Sequence, residues 1–285
     1  MGESGMFKIK ERRDLTPVTK LFQVDAPQVA AKAQPGQFVM VRVDETGERI
    51  PLTVAGVDRA AGTVMIVVQE VGKTSGQIGR LRSGDGFQDF VGPLGRPAEP
   101  LLVKSGRVVM VAGGFGVAPV LPIAALLRER GVHVTSIMGA RTSNLLILEE
   151  ELAAVSDEVL IATDDGSRGT RGFVTHVLQR LIDEGEAIDQ VIAIGPMAMM
   201  RAVADLTRKV GLPTLVSVDP VMVDGTGMCG ACRLTVNGQV KFGCVDGPLF
   251  DGHQVDFQEQ LQRGKMYAEE ERVALNAWQC GGVCR

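Results

Sequence analysis

Residues 105–218 carry a regular alternation that few architectures can accommodate. Five apolar, mostly β-branched runs, Val108–Ala112, Val132–Gly139, Val159–Thr163, Gln190–Ile194 and Thr214–Val218, are separated by four helical stretches, Val117–Gly131, Glu149–Val155, Gly172–Glu184 and Ala198–Val210. Strands that alternate with helices build a parallel sheet covered on both faces. The segment is therefore expected to form a five-stranded parallel Rossmann-like α/β domain, with ligands outside the carboxyl ends of its strands. Its first unit contains twenty residues without a charge, Val108–Leu127, long enough for a membrane span. Gly113, Gly114 and Gly116 interrupt that stretch, and Pro119 and Pro122 follow. Such punctuation reads as a buried strand, a glycine turn and the start of a helix, not as a span.

Three further units flank or follow this one. Residues 1–104 read as an antiparallel β-barrel, with runs at Phe38–Val43, Thr63–Gln69 and Gly86–Val91 punctuated by Gly, Asp and Pro. A short helix is expected around Ser75–Leu81. Residues 219–257 are a Gly- and Cys-rich module in which Leu234–Val240 folds as a hairpin about Asn237-Gly238. Residues 258–285 form a polar, partly helical tail. Met1–Lys10 shows no signal-peptide pattern, and residues 1–5 read as an extension, since Met6 can equally be the start. A net charge of −4 argues against a basic nucleic-acid footprint, and an aromatic content of 4% against a base-stacking platform.

All five cysteines lie in the last part of the chain, at Cys229, Cys232, Cys244, Cys280 and Cys284. An odd count so confined does not fit a secreted disulfide framework and points to a reducing compartment and a metal site. Cys229 and Cys232 share a tight loop, and Cys244 returns from beyond the hairpin. Plant-type iron–sulfur loops use C-x4-C-x2-C and a later Cys. Here the first of those positions is Asp224, so its carboxylate is the candidate fourth ligand. Zinc on three Cys and an Asp, and plain reduced thiols, are the competing readings. Cys280 and Cys284 read either as exposed thiols in a frayed tail or as a metal or partner contact. The three histidines, His133, His176 and His253, read as structural, with His253 also a candidate support for the cluster module.

Nucleotide signals fall at the ends of the predicted strands. Gly113 and Gly114 open the first helix, where unpaired N–H groups and the helix dipole favour a pyrophosphate. Asp164 and Asp165 follow the third strand, and Gly195 and Met197 follow the fourth. The acidic pair would repel a 2′-phosphate, whereas Arg168 and Arg171 nearby could bind one. In the barrel, Arg49, Pro51, Leu52 and Thr53 precede Gly72, Thr74 and Ser75, a set able to meet a phosphate and a flavin edge.

The order R-x-P-L-T, G-x-T-S, G-G-x-G-x-x-P, D-D-G and G-P-M resembles the ferredoxin–NADP reductase superfamily. The module V-D-G-T-G-M-C-G-A-C is similar to that of dihydroorotate dehydrogenase electron-transfer subunits. Its Asp in the first ligand position is closer to the small subunits of NADH-dependent reduced ferredoxin:NADP oxidoreductases and to sulfide dehydrogenase beta subunits. The resemblance spans residues 6–257. It implies FAD at Arg49, Pro51, Leu52, Thr53, Gly72, Thr74 and Ser75. It implies NAD(H) at Gly113, Gly114, Asp164, Asp165, Gly195 and Met197, and a [2Fe–2S] cluster at Asp224, Cys229, Cys232 and Cys244. It further implies a cytoplasmic electron-transfer subunit paired with a larger flavoprotein in an electron-bifurcating complex. Dihydroorotate or sulfide dehydrogenase and a non-catalytic metal-binding regulatory subunit are the alternatives. No general acid or base is expected, because the cofactors carry the chemistry.

Overall fold

The computed structural model describes residues 6–280; the reading of residues 1–5 as an extension lies outside them. The first unit contains β1 (Phe7–Thr16), β2 (Thr19–Asp25), α1 (Pro27–Lys32), β3 (Phe38–Arg42), β4 (Ile50–Thr53), β5 (Gly56–Asp58), β6 (Thr63–Gln69), α2 (Lys73–Gly79), β7 (Gly86–Phe87) and β8 (Asp89–Leu94). Its strands form two antiparallel sheets, β5-β6-β2-β1-β7 and β4-β3-β8, closed around one core. Phe22 and Phe87 meet edge to face there, with centroids 6.5 Å apart. Burying each such side chain contributes about 1.5–3 kcal/mol. The expected single strand over Gly86–Val91 is in fact two, β7 and β8, which belong to different sheets. Between them Gln88 donates its N–H to Arg42 O, 2.9 Å away, and the chain changes partner. The short helix begins at Lys73, two residues before expectation. The six-residue α1, led by Pro27, is too short for a periodic signal.

The second unit runs β9 (Arg107–Gly113), α3 (Val117–Glu129), β10 (His133–Ala140), α4 (Glu149–Ala154), β11 (Glu158–Thr163), β12 (Thr170–Arg171), α5 (Val174–Asp183), β13 (Gln190–Ile194), α6 (Met197–Lys209) and β14 (Thr214–Ser217). The expected five strands and four helices are all present. Val108–Leu127 resolves into β9, a 3₁₀ turn at Gly114–Gly116 and α3. No described helix is long and apolar enough to cross a membrane.

The sheet holds seven strands, not five, in the order β12-β11-β10-β9-β13-β14-β17. β12 has two residues and no readable period. β17 (Leu249–Asp251) comes from the cysteine module and pairs antiparallel with β14 through Leu215, Val216 and Ser217, a long-range pairing that no local pattern announces. The module also holds β15 (Arg233–Val236), β16 (Gln239–Phe242) and α7 (Gly243–Asp246). The β15–β16 hairpin turns at Asn237 and Gly238, with φ of +51° and +70°, the positive pair that a type I′ turn requires. α8 (Phe257–Arg263) and α9 (Ala268–Gln279) complete the described chain.

Candidate functional site

The candidate dinucleotide crevice lies where the sheet order reverses. β9 is flanked by β10 on one side and β13 on the other, so the turns after β9 and β13 lead away on opposite faces and leave a crevice between them. Gly114 adopts φ +52°, and a Cβ built there meets nothing within 4 Å. That open space lies at the 3₁₀ turn Gly114–Gly116 that leads into α3, and the Val117 N–H that opens α3 already bonds Gly114 O and Phe115 O, so the donors left for an anion belong to the turn itself. On the far side, a Cβ at Gly195 would stand 3.0 Å from the Gly113 Cα and 2.9 Å from the Met199 Cε. The two turns are therefore in contact, and Met199 closes over both. Met197, the neighbour singled out from sequence, begins α6 and is half-buried.

Asp164 and Asp165 follow β11 and are exposed. Their loop closes on Thr163, whose hydroxyl donates to Arg168 O (2.7 Å) and accepts the Arg168 N–H (3.0 Å). Asp165 accepts from the Ser167 hydroxyl (2.7 Å) and N–H (2.9 Å). The Ser167 hydroxyl holds its carboxyl below the usual carboxylate range. Asp165 thus orders the loop, and Asp164 stands at its lip. Arg168 is paired with Glu149 at 2.6 Å. Phe173, unmarked in the sequence reading, is an exposed aromatic just after β12.

In the barrel, β4 alternates. Leu52 is buried in the barrel core with Ile50 packed beside it, so only the Leu52 backbone can face a ligand. Pro51 and Thr53 point the other way. Arg49 donates from Nε and Nη2 to Asp89 Oδ2 (3.0 and 2.8 Å). Burial pushes the Asp89 carboxyl up, but the hydrogen bonds from Arg49 and Arg42 outweigh it and hold it low. Thr74 donates to Glu48 Oε2 at 2.7 Å, which brings the head of α2 against the approach to β4. Ser75 Oγ accepts the N–H groups of Val71 and Gly72, both at 2.9 Å. The Gly72 N–H is therefore turned inward and is not free for a phosphate. The donors left at this corner are the N–H groups of residues 73–75, which precede the first helical bond.

The metal candidates come together as two pairs. Cys232 Sγ and Cys244 Sγ are buried and 3.2 Å apart. Cys229 is exposed, and both its N–H (3.4 Å) and its thiol bond the Asp224 carboxylate. The Thr226 hydroxyl is the main cause holding Asp224 below the usual range. Burial, then the Cys232 thiol beside it, push the Cys244 thiol up to about 12. Among the described residues no three His, Cys, Asp or Glu side chains converge as a single-ion site. Two pairs of donors are what a centre with two irons takes, and the donor set fits a [2Fe–2S] cluster on that ground. Replacing Asp224 by Cys is expected to keep the cluster and lower its potential, because a thiolate donates more charge to ferric iron than a carboxylate does. Redox-titrated EPR reads this; an unchanged potential and spectrum would remove Asp224 from the ligand set.

One strand joins this corner of the barrel and the cysteines. Val39 and Val41 of β3 face the barrel core, while Phe38 and Met40 pack with Met222, Cys232 and Cys244. Pro51 and Thr53 pair with Met40 and Phe38 across β3–β4. Gly225, inside the cysteine loop, lies so close to Met40 that an added Cβ would be 2.8 Å from its Cγ. His253 is not near the cysteines; its Nε2 bonds Thr207 Oγ1 (3.0 Å) on α6, and burial lowers its pKa. Cys280 is disulfide-bonded, which corrects the reading of it as a free thiol; Cys284 lies outside the described residues.

A barrel with an α/β nucleotide domain and a cysteine module between them defines a reductase of the ferredoxin–NADP reductase type that carries an iron–sulfur domain. The family models agree: residues 219–256 match the iron–sulfur cluster binding domain of dihydroorotate dehydrogenase B, and residues 110–205 an oxidoreductase NAD-binding domain. A Thermotoga maritima protein, described as a homolog of the dihydroorotate dehydrogenase B (NAD(+)) electron transfer subunit, is 44% identical over 274 residues, covering 96% of each chain. A solved structure reported for flavin-based electron bifurcation via the NADH-dependent reduced ferredoxin-NADP oxidoreductase is 42% identical. Its TM-score is 0.91, covering 98% of this chain and 100% of that one. A ferredoxin NADP+ reductase from Neisseria gonorrhoeae, with bound FAD and NADP, shares the fold at 20% identity and a TM-score of 0.60, over 73% of this chain and 91% of its own. The chain belongs to the family of dihydroorotate dehydrogenase B electron-transfer subunits and their homologues.

Proposed function

We propose that the chain is the NAD(H)-handling subunit of a flavin-based electron-bifurcating complex, passing electrons between NAD(H), FAD and a [2Fe–2S] cluster and on to or from a larger flavoprotein subunit. The observation that supports this reading is on strand β3, where Phe38 and Met40 pack with Cys232 and Cys244 and also pair with Thr53 and Pro51, the residues proposed to meet the flavin. When bound, FAD supplies the exchange between hydride and single-electron transfer, and the cluster supplies one-electron carriage. The chain's own residues bind and orient. The Gly113–Gly114 turn admits a pyrophosphate ahead of α3, and Gly195 with Met199 forms the opposite wall. Arg49, fixed by Asp89, sets a positive charge beside the N–H groups of residues 73–75. Phe38 and Met40 exclude water between corner and cysteines. The four units 1–104, 105–218, 219–257 and 258–285 divide this work, with the third docked on the other two through Met40 and β17. A cytoplasmic location is part of this proposal, supported by the free thiols of Cys229, Cys232 and Cys244 and not by the disulfide at Cys280.

The coenzyme reading follows from charge. Asp164 and Asp165 are exposed on the β11 loop and Arg168 is paired with Glu149, so of the two nearby arginines only Arg171 is left to meet a 2′-phosphate against two carboxylates. Rapid mixing under nitrogen is expected to show NADPH bleaching the flavin at least about tenfold more slowly than NADH at limiting coenzyme, since like-charge juxtaposition costs more than the roughly 1.4 kcal/mol of one decade. Equal rates would contradict this assignment.

A further inference from the structure

α9 buries none of its own residues, yet it packs on α2. The contact is made by Trp278, the chain's single tryptophan. A Cβ added at Gly76 would stand 2.9 Å from two carbons of its ring. Arg80 sets its guanidinium carbon 4.0 Å from the ring centroid. Gly76 and Arg80, the residue just after α2, lie about one turn apart, so one side chain touches both the middle of α2 and its C-terminal end. That clasp has work to do, because α2 is seven residues long and reads Lys-Thr-Ser-Gly-Gln-Ile-Gly. Each interior Gly costs about 1 kcal/mol relative to Ala, and an isolated helix of this length is unstable. α9 reaches the barrel from elsewhere. The preceding α8 packs on α6 and β15, and its Arg263 donates to Ala231 O in the cysteine loop at 2.9 Å.

We propose that α9 is a strap from the cysteine module to the flavin corner, and that Trp278, wedged against Gly76 and Arg80, is a positioning residue that holds the N–H groups of residues 73–75 in the form that takes the FAD diphosphate. This rests on the reading of Gly72, Thr74 and Ser75 as part of the flavin site. The test uses the full chain and measures FAD dissociation by released flavin fluorescence, with the visible spectrum of the cluster as control. Trp278→Ala is expected to raise the FAD dissociation constant about tenfold, the scale of a lost cation–π pair and its packing, and to leave the cluster spectrum unchanged. Trp278→Phe should restore most of the affinity. Gly76→Ala favours the helix itself but pushes on the ring, so it should weaken FAD in the native background and cost nothing further beside Trp278→Ala. It also keeps the test decisive if Trp278→Ala fails to fold. Full FAD affinity in both single variants would overturn the strap and leave the electron-transfer reading standing. Additive losses would show that Gly76 acts without Trp278 and would also overturn it. A native chain that takes up no FAD would remove both readings.

Discussion

Replacing Cys244 by Ser is expected to strip the purified chain of iron, from about two atoms per chain to near none, while NADH still bleaches its flavin. Cys244 is buried beside Cys232 and among Phe38, Met40 and Met222. Serine matches its shape, so the packing survives, but a hydroxyl in that apolar site is a poor ligand and cannot easily be deprotonated. The other three donors would then offer one complete pair and one broken one. Iron and acid-labile sulfide analysis, with the visible spectrum, checks this. Iron kept at its native level would mean that the buried cysteine pair is not a ligand pair. Loss of flavin reduction as well would mean that the two centres cannot be separated in this way.

Gly114→Val should act on the other end of the molecule, raising the NADH dissociation constant about a hundredfold through two lost charge-assisted hydrogen bonds of about 1.5 kcal/mol each. The backbone there is left-handed at φ +52°, which costs a non-glycine residue about 1–2 kcal/mol. The space around the new side chain is otherwise empty, so the fold can absorb the change. What the isopropyl group occupies is the space before α3 that a pyrophosphate needs. Flavin and cluster spectra should be native, and only NADH titration should differ. Unaltered NADH binding would place the dinucleotide elsewhere.

The α/β unit was legible almost to the residue, because β-branched runs and amphipathic helices alternate there with little interruption. Gln190–Ile194 emerges with its predicted bounds. β17 was not legible, since Leu249–Asp251 is a strand only because β14 offers an edge. The barrel was legible as a class but not in pairing: Gly86–Val91 reads as one run, and only the tertiary contact with Arg42 divides it. Among site residues, types and spacing marked the cysteines and the glycine turns. They did not show that Ser75 spends its hydroxyl on its own loop, that Arg168 is already paired, or that Leu52 faces the core. Nor does any motif distinguish Phe38 and Met40, whose role lies in the two faces of one strand. Trp278 carries no local signal either; its meaning depends on a glycine two hundred residues earlier in the chain.

NADH, flavin and cluster are expected to form one relay within this chain. Anaerobic titration of the isolated chain with NADH, followed by visible absorption, tests it most directly. Bleaching of the flavin band together with the iron–sulfur bands is the predicted result. A chain with no flavin band, or a flavin that bleaches while the iron–sulfur bands stay oxidised, would contradict it.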